Sequence, residues 1–444
     1  MNDQLEHKMQ NVFPVKSDQA HQQPDVCSGP AVHADWRYSL AKLVLPALMV
    51  CLVSLLLGTS IFAIAAENGN LIGYMSGYVG GAFRRFTQFF AIPLWFIAWH
   101  FARSQPEFRV KFDISTLIPL FMLLLYISVH LLIADTVIRG NRLEMVFSSA
   151  PIVLLALPLC HRKGCELFWY GMIVASIVFF MTLLFSGQFL SIMHGEGLIA
   201  LRNETSSRLH LGLDTISSAS IMYQCVLGGI LWLLTYSRKS ASTLLILATS
   251  SGLLMCGVMT GSKGPMISLI VALVTVILVK RVLGMKKWLC LAIIGVIFYR
   301  YGLPALSDYV GSMKHLAIGF NDENRYMFYS YVLKSFPTLC GRGIGSFAHN
   351  MGFSVGGYVH NSILEMYYEM GLIGAGVFIW AVVAIGRKLI IAARHDLGAS
   401  FILAYFVYSL TFSMFSGSIF SDKELWLAFA FGCTRFLVPV QGKL

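Results

Sequence analysis

Apolar runs long enough to cross a bilayer, for which about 20 helical residues suffice, recur along almost the whole chain. They cover 43–65, 86–102, 117–134, 145–159, 168–185, 216–236, 244–259, 266–279, 288–299, a tenth starting near residue 360 or 371 and ending at 385, then 400–415 and 424–438. Backbone in hydrocarbon must meet its hydrogen bonds within its own segment, so each run predicts a helix. A weaker glycine-rich stretch, 69–82, reads as a re-entrant or interfacial piece. Twelve spans would leave both termini on one side. The two long polar stretches, 186–214 and 300–359, would then lie on the other. Residues 1–35 are polar and aperiodic and predict a disordered tail with no cleavable signal peptide. Residues 36–440 form one membrane domain. The absence of an internal repeat counts against a transporter built from repeated halves. The pattern therefore predicts an all-α polytopic membrane protein with about twelve transmembrane helices and a large, partly helical outer loop.

Composition agrees. The 444 residues are 57% hydrophobic and 12% charged, against about 45–50% and about 25% in soluble domains. This excludes a soluble globular enzyme, a disordered protein and a disulfide scaffold. The net charge of +11 is first a topology signal. About 19 of the 33 Lys and Arg fall in the tail and short connectors assigned to the cytoplasm, as the positive-inside rule requires. About 13 fall outside, where topology does not call for them. No basic stretch is long enough to suggest nucleic acid. The nine cysteines show no CxxC and no zinc spacing, so neither a metal site nor a required disulfide is expected. There is no DxD, P-loop or Gly-x-Ser-x-Gly element, and no cofactor is expected.

The candidate chemistry sits in the outer segments. Arg202 and Arg208 stand at the mouth of the sixth span. They are either surface charge near headgroups or guanidiniums for an anionic substrate, whose phosphate oxygens their planar fork matches. Lys263 is pinned in the tight turn 260–265. It either snorkels or joins the N-terminal amides of the following helix in holding an anion. Arg325 opens an amphipathic stretch rich in Tyr and Phe, which suits an interfacial belt or a sugar-stacking surface. Gly341-Arg342-Gly343-Ile344-Gly345 follows, as a phosphate cradle or an irregular loop. The densest feature is Tyr358-Val-His360-Asn361-Ser-Ile-Leu364-Glu365, with Glu369, Gly371 and Gly374 beyond. His360 can exchange a proton near neutral pH and so can act as a general base, or can be an ordinary structural histidine. Glu365 and Glu369 share a helix face and could orient His360 or hold sugar hydroxyls.

These residues resemble the bacterial O-antigen ligase and O-antigen polymerase superfamily over roughly residues 200–380. The family's His-Asn-x-x-Leu-Glu block and following Glu-x-Gly-x-x-Gly read here as His360-Asn361-Ser-Ile-Leu364-Glu365 and Glu369-Met-Gly371-Leu-Ile-Gly374. Its upstream elements resemble Arg325, Pro337, Gly341, Gly343, Gly345 and Phe347, and its Arg-Leu-x-x-Gly element resembles Arg208-Leu-His-Leu-Gly212. Where the family commonly carries Thr-x-Ser-Arg-Gly, this chain has Thr260-Gly-Ser-Lys263-Gly, which keeps the charge and loses the bidentate fork.

The resemblance implies a GT-C-like fold in the bacterial inner membrane, with the site facing the periplasm. It implies metal-independent, inverting transfer of a glycan from undecaprenyl pyrophosphate to an acceptor sugar hydroxyl. His360, Arg325 and Arg208 would then be catalytic, and Lys263, Arg202, Asn361, Glu365, Glu369, Arg342 and Tyr358 would bind substrate. The acceptor is a growing lipid-linked chain in a polymerase, the preferred reading, or lipid A–core in a ligase. A chain-length regulator and a flippase are the implied protein partners. The alternative of another class is a lipid-linked glycan flippase or transporter, which would not explain the concentrated His-Asn-Glu block.

Overall fold

The computed structural model describes residues 43–53, 90–100, 110–133, 153–185, 189, 215–235, 241–259, 262–280, 323–335, 338–352, 358–416, 418–420 and 422–436. The tail 1–35, the segment 69–82, the ninth span, Arg202 and Arg208 lie outside them. So do the loop 186–214 apart from Phe189, all of 300–322, and the first part of the fourth span.

The described elements are helices, with a single antiparallel bridge between Phe112 and Thr434. The main α-helices in chain order are α1 (Leu43–Val53), α2 (Phe90–His100), α3 (Ile114–Ile133), α4 (Arg162–Phe185), α5 (Thr215–Thr235), α6 (Ala241–Met259), α7 (Lys263–Lys280), α8 (Glu323–Lys334), α9 (Ser346–Asn350), α10 (Ser362–Ala393), α11 (Leu397–Ser413) and α12 (Lys423–Gly432), with a 3-10 turn at Leu157–Leu159 ahead of α4. Among the described residues, five helices (α3, α4, α6, α7 and α10) are long and apolar enough to cross a membrane. The chain is an α-helical polytopic membrane protein.

Helix α11 is buried on nearly every side, as a helix apolar all round must be. It packs against α4, α5, α7, α10 and α12. Its aromatic residues tie the neighbours together. The Phe168 ring meets Tyr405 edge-on at 5.1 Å and stacks on Phe431 at 4.9 Å, joining α4, α11 and α12. Helix α3 lies antiparallel along α10: Tyr126 meets the first part of α10, and Asp113, just before α3, meets Lys388 near its other end.

Only a few residues separate α6 from α7 and α10 from α11, so the bundle has two ends. One carries the heads of α7, α10 and α12, with α8 and α9 beside them. The opposite end gathers Arg162, Lys163, Lys280, Arg387, Lys388 and Arg394. There Arg162 Nε lies 2.7 Å from Asp396 Oδ2, while Asp396 Oδ1 caps α11 by accepting from Ala399 N.

Candidate functional site

The site is built on the head of α10. Asn361 is extended, and its side chain accepts from Ile363 N and Leu364 N, both at 3.1 Å. An asparagine in this position meets two amides that a helix start leaves open. The capping explains why the helix begins where it does.

His360, immediately before the cap, has φ +59° and is the only non-glycine with positive φ among the described residues. Such a backbone is sparsely populated and persists only where its surroundings fix it. Tyr329 Oη donates to the His360 carbonyl at 3.0 Å. The imidazole stacks parallel to Phe328 at 6.2 Å, and Tyr358 leans on it at 4.3 Å. Phe328 and Tyr329 belong to α8, and Arg325 precedes them by three and four residues, so it shares their helix face. Arg325 and His360 are therefore brought to one face of α8.

A small apolar core fixes this assembly. Phe328, Val332, Phe347, Val359 and Tyr368 pack together, with Tyr329, Tyr331 and Leu364 against them. Tyr368 Oη accepts from Asn350 Nδ2 at 2.9 Å, and the Arg342 guanidinium lies 5.1 Å over the Tyr368 ring.

Both glutamates are buried, and both grip backbone. Glu365 accepts from Ser418 Oγ at 2.6 Å and from Ile419 N at 2.9 Å, tying α10 to the loop between α11 and α12. Glu369 Oε2 accepts from Gly345 N at 2.8 Å.

The glycine run holds a break in α10. Gly371 has φ +74° and ψ −171°, which interrupts the helix. The chain at 338–343 lies in the gap. Arg342 N and Gly343 N donate to the carbonyls of Tyr368 and Glu369 at 3.2 and 2.9 Å. In return, Leu372 N and Ile373 N donate to the carbonyls of Thr338 and Leu339 at 3.1 and 3.2 Å. Four groups that an unbroken helix would pair with each other are thus met by the strap. Tyr126 Oη donates to the Met370 carbonyl at 3.0 Å. The backbones touch at Gly341 and Gly371, where a side chain on either would collide with the other segment.

Lys263 is the first residue of α7. A Cβ at the next residue, Gly264, would stand 3.1 Å from Phe415 Cβ and 3.4 Å from Ser416 Oγ. Ser362 Oγ donates to the Ser413 carbonyl at 2.9 Å. The segment 413–420 therefore lies between the Lys263 turn and the head of α10, at the same end of the bundle.

Of the residues singled out by sequence, the structure gathers His360, Asn361, Tyr358, Glu365, Glu369, Arg325 and Arg342 around α8–α10, with Lys263 at that end. Arg202 and Arg208 lie outside the described residues. Asn350 stood out in the sequence only as part of a rival His349-Asn350 pair that no apolar helix directly follows, and Phe328, Tyr329 and Ser418 were not singled out individually. The run of aromatics at 326–331 and the small polar interruption at 416–418 were their only signals. No protein-family model and no curated protein matches the chain.

Proposed function

We propose that the chain is a membrane glycosyltransferase that moves a glycan from undecaprenyl pyrophosphate to an acceptor sugar hydroxyl, as a surface-polysaccharide polymerase of the O-antigen type. The observation that carries the reading is His360: an imidazole held in a strained backbone conformation by the helix that also bears Arg325. In this reading the bundle has twelve spans, lies in the inner membrane and turns the α8–α10 end to the periplasm.

His360 takes the proton of the acceptor hydroxyl as a general base. The freed oxygen attacks the anomeric carbon from the face opposite the pyrophosphate. The bond from that carbon to the pyrophosphate oxygen breaks, and its electron pair leaves with the carrier. Arg325, Arg208 and Lys263 balance the charge that develops there, which preorganised cations do best in a water-poor site. Tyr358, Arg342 and Arg202 bind substrate in this reading. Asn361, Glu365 and Glu369 act through the backbone they hold.

The test uses purified protein in chelator with lipid-linked repeat units, with and without lipid A–core. Ladders on the carrier lipid are expected, and His360→Ala should abolish them while the protein still folds. Product only with lipid A–core would make it a ligase. Undiminished transfer by His360→Ala would remove the base from the scheme. Movement of lipid-linked glycan across vesicles without transfer would favour a flippase.

A further inference from the structure

A second polar cluster lies between α5, α11 and the head of α12, and glycan transfer does not use it. One edge is satisfied. Tyr408 Oη donates to the Ser220 carbonyl at 3.0 Å and lies 3.2 Å from Ser220 Oγ, which accepts from Gln224 Nε2 at 3.2 Å. The rest is not. Tyr223 Oη, Tyr405 Oη, Ser409 Oγ and Asp422 Oδ2 are buried with no hydrogen bond of normal geometry, although Ser409 interacts with Tyr405 and Glu424 with Asp422. Their residues are 0%, 1%, 0% and 5% exposed.

These atoms are neighbours. Tyr405 and Ser409 are one turn apart on α11. The Asp422 and Glu424 carboxyls act electrostatically on both Tyr405 and Tyr408, and Tyr223 acts on Tyr408. The other oxygen of Asp422 is engaged, accepting from Leu425 N at 2.9 Å as the cap of α12. Buried polar atoms are expensive unless met, and interiors commonly meet them with ordered water that makes two to four bonds.

We propose that this cluster is a buried water-binding site, in which ordered water bridges Tyr223, Tyr405, Ser409 and Asp422. The chemistry suits water better than a metal cation. Three of the four groups are hydroxyls, and water both donates to and accepts from them. Burial, and then the Glu424 carboxyl beside it, push the Asp422 carboxyl well above the usual carboxylate range, which favours its neutral form and weakens its own pull on a cation. The titratable groups Asp422 interacts with are Glu424 on its own helix and Tyr405 and Tyr408 from α11, with Tyr223 of α5 behind Tyr408. Glu365 of α10 grips Ser418 and Ile419 in the same loop.

The test is made on the purified full chain by thermal unfolding and infrared spectroscopy at neutral pH. Tyr405→Phe and Ser409→Ala should each lower the melting temperature by about 2 °C, as expected for loss of a water-mediated bond. Asp422→Asn, which copies the neutral acid, should leave it near that of the parent and remove a protonated-carboxyl band. A melting temperature that rises in Tyr405→Phe would mean a dry site and overturn the proposal. So would a fall on replacing sodium and potassium with choline, which marks a cation. Should a variant fail to fold, the parent spectrum still decides, since absence of the protonated-carboxyl band refutes the neutral Asp422. None of these measurements involves glycan transfer, so the site stands or falls apart from that reading.

Discussion

At the scale of single residues, charge geometry separates two cations of the site. Arg325 lies on the α8 face that holds His360, whereas Lys263 opens α7 across the 413–420 segment. A guanidinium grips pyrophosphate oxygens through a planar fork, and an ammonium acts as a point charge. Arg325→Lys is therefore expected to lower kcat/KM by about tenfold or more, the equivalent of about 1.4 kcal/mol. Lys263→Arg should be tolerated. Equal losses in steady-state transfer assays would remove the bidentate argument. The His-Asn block was legible because an asparagine ahead of an apolar run marks a helix start and the histidine beside it offers a group able to exchange a proton. The grip of Glu365 was not legible. Its partners Ser418 and Ile419 lie more than fifty positions away, and only packing of α10 against the α11–α12 loop brings them together.

At the scale of elements, the strap at 338–343 explains why the hydrophobic pattern offered two starts for the tenth span. Residue 360 marks the head of α10, and Gly371 marks its break. The role of the glycine run was ambiguous for a related reason: its amides meet helix carbonyls, and no sequence pattern distinguishes that from cradling a phosphate. Gly341, Gly343 and Gly371 all have positive φ, but only the first and last abut another backbone. Gly343→Ala should cost about 1–2 kcal/mol for the left-handed conformation alone. Gly341→Ala and Gly371→Ala should cost more, because overpacking adds about 1–3 kcal/mol. Chemical denaturation of the three variants checks the order, and a Gly343→Ala loss equal to the others would contradict the fit.

At the scale of the molecule, the two ends of the bundle differ in chemistry. At the end away from His360, His161 is buried just before α4 and accepts from Gly164 N through Nδ1 at 3.1 Å. Burial first, and Lys163 second, lower its pKa from 6.5 to about 4. The fold thus favours neutral imidazole. Its contribution is full above pH 6.5 and is lost as pH falls towards 4, on the order of 3 kcal/mol in all. The bundle should melt at lower temperature at pH 5 than at pH 7. His161→Asn, which keeps a capping oxygen, should flatten that dependence, and an unchanged pH profile in the variant would assign the acid sensitivity elsewhere. The helical runs were legible because lipid imposes length and apolarity on each. The burial of α11 at the centre was not, since an apolar helix reads alike whether it faces lipid or protein.

The strap also dictates what evolution can alter. Four backbone hydrogen bonds hold it to α10, and the side chains of Leu339 and Cys340 are exposed. Those side chains are free to drift among relatives. The number of residues from Thr338 to Gly343 is not, because one insertion or deletion would set every donor opposite the wrong acceptor. Sequences that share this architecture should be recognisable by a constant spacing where the letters themselves have changed.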